Sequence, residues 1–234
     1  MRATEIDIIQ YLGRCGRSQA FITDFLERYR SAFNLYFVQV PDNLRTMTMA
    51  ESGADKITSF NMTTMPGLAQ SKEYALALFQ AHGQLAPEAI ERAVRFRMER
   101  QAILLQPNRP ACTFYIHENA LRLKVGSDEV MEDQLMRLLF HTHTIRIVPA
   151  ASGAAGAFSA EYMLWEYEKR SSVAYTESDL AQVFVQDLAG VKRCKSIFAH
   201  LDAVALDEEQ SRSMVADLAS RSREDLSDRK LRLA

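Results

Sequence analysis

His141 and His143 stand two residues apart, a spacing that turns both imidazoles to one face of a strand and supplies part of a metal site. Two ligands make neither a closed nor a catalytic site, and no third is apparent. No metal is therefore expected, and a polar helix C-terminus, where histidine favours the dipole, is the preferred reading. Arg92, Arg95, Arg97 and Arg100 crowd one helix. Their spacing sets Arg92, Arg95 and Arg100 near a common face with Arg97 turned away, a stripe able to bind an acidic partner or phosphate. Between Pro149 and Phe158, two glycines and five alanines cannot build a core, although bare glycine amides can approach an anion. The stretch lacks GxGxxG and GxxxxGK spacing, so a connector is preferred over a nucleotide loop, with a partner-contact loop as the sharper alternative.

Nucleophilic chemistry finds little support. Ser152 precedes Gly153 outside any GxSxG pattern, and Cys112 and His117, five residues apart on a strand, face opposite sides. Tyr162, Trp165, Tyr167 and Tyr175 fall in one hairpin, where alternate rings form core or a dimer seam more readily than a stacking platform for bases. No cofactor is implied.

The elements that must carry these residues follow from apolar spacing. Ile6, Ile9 and Leu12, then Phe21, Ile22, Phe25, Leu26 and Tyr29, predict two helices joined across GRCGRS, extended by Phe33 and Tyr36. Residues 40–66 read as a connector with one strand at Ile57 to Phe60. Ser71 caps a helix to about Ala81, and Pro87 opens another to about Leu105. Strands follow at Thr113 to Ile116 and Thr144 to Val148, on either side of a helix capped by Ser127 with Asp128 and Glu129 in its first turn. A hairpin at Phe158 to Tyr167 and Val173 to Thr176, a strand at Gln182 to Val185, and helices at Ala189 to Val204 and Asp207 to Arg221 complete the pattern, before a charged, frayed tail. The fold class is α+β, a mostly antiparallel sheet flanked by helices, with helical N-terminal and C-terminal segments.

Composition sets outer bounds. The 234 residues carry 28 Lys plus Arg against 30 Asp plus Glu, a net charge of -2, and are 47% hydrophobic. That is a globular chain without the bulk positive charge of a protein that coats phosphate backbones. No stretch approaches a membrane span, and the acidic start MRATEIDIIQ is unlike a secretory signal, so a cytoplasmic location is expected. Cys15, Cys112 and Cys194 form no CxxC pair and are expected to stay reduced.

PGLAQSKEY at residues 66–74 resembles the PGLLQT-x-EYA signature of a domain family of unknown function found in actinobacterial regulators, where it follows an Xre-type helix-turn-helix. The similarity continues through RMERQAIL (97–104), ENALRLKVGSDEVMEDQLMRLL (118–139), IRIVPAASGAAGAF (145–158), YTES (175–178) and ALDEEQSRSMV (205–215). Such proteins are described as antitoxin-like transcriptional regulators. The resemblance implies three parts: a helical linker-like segment at 1–50, a ligand- or partner-binding α+β domain at 51–221 and a charged tail at 222–234. TEIDIIQYLGRCG is similar to the last short helix of the family's linker, and nothing upstream of Thr4 supplies a recognition helix. The chain is then either a piece of a longer regulator or a stand-alone copy, and direct DNA binding by it is expected to be weak at most.

The resemblance also marks Gln70, Tyr74, Arg97, Arg100, Gln101, Glu118 and Arg122 as ligand- or partner-binding candidates. Together with Pro66 and Gly67 they are expected to converge on one groove. A structural network of Arg97 or Arg100 with Glu118 is the preferred reading, and a ligand pocket lined by the same guanidiniums is the functional one. The implied function is effector sensing, dimerisation or partner binding, with a small molecule or small protein as partner. The alternative is a stand-alone copy recruited as a biosynthetic enzyme. A homodimer is expected, with its seam near Trp165.

Overall fold

The computed structural model describes residues 4–32, 36–39, 45–140 and 143–233. Helices α1 (Glu5–Arg14) and α2 (Gln19–Ala32) form a hairpin around a small cluster of Ile8, Ile22 and Leu26. The first is started by a capping box: the Asp7 amide donates to Thr4 Oγ1 at 3.2 Å and the Asp7 carboxylate accepts from the Thr4 amide at 2.8 Å. Tyr36–Gln39 is not a continuation of these helices but strand β1, and α3 (Arg45–Glu51) precedes β2 (Lys56–Asn61) where a connector with one strand was expected. Phe33 lies outside the described residues.

Then come α4 (Lys72–His82), α5 (Pro87–Arg100), β3 (Ala111–His117), α6 (Glu118–Arg122), α7 (Asp128–Phe140) and β4 (Thr144–Val148). β5 (Glu161–Glu166), β6 (Val173–Glu177), β7 (Gln182–Val185), α8 (Leu188–Val204) and α9 (Glu208–Leu233) complete the chain. The expected stop at Arg221 is absent, since α9 continues through the charged tail. The alanine-rich stretch is a 3-10 turn at Ala150–Ala155, bent at Gly153 with φ 57°.

Among the described residues the seven strands make one mixed sheet in the order β1-β7-β6-β5-β2-β3-β4. The β2–β3 and β3–β4 pairs are parallel, because helical crossovers intervene, and the other four are antiparallel. This is the α+β architecture that the element pattern predicts. One sheet face buries Ile57, Phe114, Ile147 and Trp165 against Tyr74, Leu135, Leu138 and Val215 from α4, α7 and α9. The other buries Phe60, Tyr115 and Leu164 against Val191, Cys194, Phe198 and Leu201 of α8. Trp165 is fully buried against Tyr175 and Phe184 of its own sheet, which removes it as the expected dimer seam.

The edge strand β4 is covered rather than left open. Ile147 donates its amide to Ser211 Oγ at 2.9 Å and accepts from the Leu206 amide at 2.8 Å. No helix among the described residues is long and apolar enough to cross a membrane.

Candidate effector-binding cleft

Pro66 leads into a 3-10 turn, Gly67–Ala69, and Ser71 then caps α4 by accepting from the Tyr74 amide at 3.1 Å. A turn of this kind leaves buried backbone groups that need partners, and three glutamine side chains supply them. Gln70 donates to the Met65 carbonyl at 2.8 Å. Gln101, just past the end of α5, donates to the Gly67 and Gln70 carbonyls, each at 2.9 Å. Gln134 on α7 donates to Ala69 O at 2.9 Å and accepts from the Ser71 amide at 2.6 Å. The Tyr74 hydroxyl takes the Met65 amide at 3.3 Å.

Two guanidiniums complete the arrangement. Arg97 donates to Gln70 Oε1 at 2.7 Å and lies 4.6 Å over the ring of Phe79, while Arg137 donates to Gln101 Oε1 at 2.8 Å. Among the described residues neither has a carboxylate within ion-pairing distance. Arg97 keeps accessible surface, yet burial, with repulsion from Arg100, pulls its pKa down to about 10. The Arg97 guanidinium is thus packed against protein while part of the side chain stays accessible.

Arg100 is arranged differently. Its Nε donates to Glu51 Oε2 at 2.9 Å and a second nitrogen bonds the other oxygen, with the two side chains only 5% and 2% exposed. Burial opposes the charged form of Arg100, but Glu51 outweighs it and the pKa is raised. The expected facing of the arginine helix is thus corrected: Arg97 and Arg100, three residues apart, turn inward, and Arg92 and Arg95 are exposed.

Beneath this layer, Glu161 and Glu177 stand directly opposite on β5 and β6. Glu161 is committed to the chain that follows β2, accepting from Asn61 Nδ2 at 2.7 Å and the Met62 amide at 3.1 Å, and burial raises its pKa. Glu177 is exposed, accepts the Tyr175 hydroxyl and, at 3.4 Å, the Gln182 amide. Burial, then Glu177, pushes the Tyr175 phenol well above its ordinary range.

Of the residues singled out by sequence, Pro66, Gly67, Gln70, Tyr74, Arg97 and Gln101 come together, and Arg100 lies deeper with Glu51. Glu118 and Arg122 do not join them. Glu118 accepts Arg122 Nε at 2.7 Å and the Ala150 amide at 2.9 Å, so it bonds its own helix and the alanine-rich turn rather than Arg97 or Arg100. The Ala150 amide, with Arg122 and against the opposing effect of burial, holds its pKa below the usual carboxylate range. β2 and β3 are parallel, Glu51 precedes β2 and Glu118 follows β3, so the two carboxylates sit at opposite strand ends and Arg100 meets Glu51 and not Glu118.

Glu51, Gln134, Arg137, Glu161 and Glu177 were not singled out in the sequence. The i, i+3 spacing of Gln134 and Arg137 on one helix was the available signal. His143 follows α7 with its ring buried 4.6 Å from that of Phe114, not a polar helix end, and His141 lies outside the described residues. Among the described residues no three His, Cys, Asp or Glu side chains gather in a way that could hold a metal ion.

Residues 44–217 match DUF5753, described as a domain of unknown function, and the chain belongs to that family. No curated protein matches the chain. Among solved structures it is similar to TrmBL2, an archaeal chromatin protein with a novel mode of DNA binding, at 12% identity and a TM-score of 0.35 over 87% of this chain and 68% of that one.

Proposed function

We propose that the chain is the effector-sensing part of an antitoxin-like transcriptional regulator, and that its sensor site is centred on Arg97 at the Pro66–Ser71 turn. The observation that carries this reading is Arg97. Its half-buried guanidinium is held by a neutral amide and an aromatic face, with no carboxylate paired to it among the described residues. Burying a cation without a counter-charge is costly, and such a cost is retained where a ligand supplies the missing charge. The binding unit spans 51–221 and takes in each cleft side chain named above. A homodimer in the cytoplasm is part of the proposal, with DNA reading left to another segment or subunit, in keeping with the net charge of -2.

Native mass spectrometry of the gently purified protein tests the central claim. A retained small molecule that Arg97→Met no longer carries supports it. An apo mass, together with no Arg97-dependent thermal shift across a broad metabolite library, refutes it. Light scattering checks the dimer, and an anisotropy titration at physiological salt checks the DNA claim, which fails if sequence-specific binding is tighter than about micromolar, beyond the usual non-specific range.

A further inference from the structure

The fold treats the two edges of its sheet differently. β4 is closed by the start of α9, where Ser211 takes the Ile147 amide and the Leu206 amide takes the Ile147 carbonyl. β1 is the other edge. Among the described residues it pairs only with β7, from Tyr36 opposite Val185 to Gln39 opposite Gln182, so alternate residues turn their amide and carbonyl groups away from the sheet. Edge strands are commonly protected by charge, proline or a bulge. β1 has none of these: its sequence is YFVQ, its register with β7 is unbroken, and residues 31–41 contain no Asp, Glu, Lys or Arg. A second copy of the same strand satisfies such an edge about a two-fold axis, because antiparallel pairing of identical strands is self-complementary. With β4 closed, that pairing stops at two copies and does not propagate into a fibre.

A four-residue ladder alone buries far less than the about 800 Å² per partner of a standard interface. The helix that leads into β1 offers more. Phe21 and Phe25, one turn apart on α2, stack at 6.4 Å and remain 42% and 38% exposed. Only three residues separate Ala32 from Tyr36, which keeps the end of α2 within about 14 Å of the strand.

We infer that β1 is the seam of the homodimer: the β1 strands of two copies pair antiparallel and join the two sheets into one, with the Phe21–Phe25 stripe of each copy adding apolar area beside the ladder. This rests on the homodimer in the reading above and gives it a surface. Light scattering and sedimentation of the full chain across the micromolar range should then show a monomer–dimer equilibrium. Proline at Tyr36, Phe37, Val38 and Gln39, one at a time, tests the seam. At two alternate positions it removes a donor aimed at the second copy. The axis doubles that loss, so dimerisation should weaken about tenfold or more with the far-ultraviolet circular dichroism unchanged. At the other two it removes a donor to β7 and should lower the melting temperature. Hydrogen exchange of the native chain needs no variant: alternate amides in 36–39 should gain protection as the concentration rises.

Four proline variants that all keep the dimer mass, with exchange in β1 independent of concentration, overturn the inference and leave a homodimer with another seam. A native chain that stays monomeric overturns the inference and the homodimer together. A mass that climbs beyond two copies shows that the pairing does not close, and overturns it as well. None of these outcomes touches the Arg97 site, which the retained-ligand experiment tests separately.

Discussion

Replacing Arg100 by methionine strips Glu51 of both its guanidinium bonds and leaves a carboxylate whose side chain is 2% exposed. Water cannot reach it to compensate. Breaking a buried pair from one side costs about 3–5 kcal/mol, and at about 2–4 °C per kcal/mol for a chain of this size the melting temperature should fall by roughly 6–20 °C. Glu51→Gln should cost less, because the amide still accepts one Arg100 bond while the cation loses its counter-charge. The double variant Glu51→Leu with Arg100→Met removes both charges and fills the space with apolar atoms. It should recover most of the loss and also relieve Arg97, on which Arg100 acts as a like charge. Urea unfolding of the native protein, Arg100→Met, Glu51→Leu and the double variant measures the coupling. A single substitution costing below about 1 kcal/mol would place the pair among solvent-screened surface bridges and refute the buried-pair argument. A double variant as unstable as the sum of the singles would show that each group serves some other partner.

Trp165→Ala should destabilise by about 3–5 kcal/mol through the cavity it leaves, without changing the oligomeric mass in light scattering, because Trp165 is packed wholly within its own chain. Burial pushes the Cys112 and Cys194 thiols up to about 12, so a colorimetric thiol reagent at pH 8 should titrate the exposed Cys15 alone until denaturant is added. A second fast thiol in the native protein would contradict that packing. Gly126→Ala should lower stability by more than a surface substitution, since the residue has φ +71° and an added Cβ would come within 2.9 Å of the Ala77 Cβ. A melting temperature equal to that of the native protein would show that the loop relaxes freely.

Local signals carried well where the physics was local. Ser71 as a cap, Pro87 at a first helical turn and the paired runs of β5 and β6 are each decided by a few adjacent residues, and each appears as read. β1 was misread because a four-residue strand on the sheet edge is fixed by pairing with β7, about 145 positions on, not by its own pattern. The α3 sequence RTMTMAE starts with no cap residue and carries two β-branched threonines, so its helix was hidden, and with it Glu51.

The cleft shows the same division from the side of function. Gln70, Arg97 and Gln101 could be grouped because they stand in the family's motifs, and they meet at one turn. Glu118 was grouped with them by the family resemblance, whereas its carboxylate is taken up by Arg122 and the Ala150 amide. Its real task, holding the Ala150 amide at the start of the alanine-rich turn, explains why that turn is ordered without a core of its own. The carboxylate expected on Arg97 or Arg100 was Glu118, but the one that pairs is Glu51, and it takes Arg100. That pairing leaves Arg97 with a neutral amide and an aromatic face, part of its side chain still accessible. The unpaired cation follows from how α5, which lies in the crossover between β2 and β3, meets Glu51 of α3 at Arg100 and not at Arg97, so the fold's connectivity, more than any single motif, creates the site.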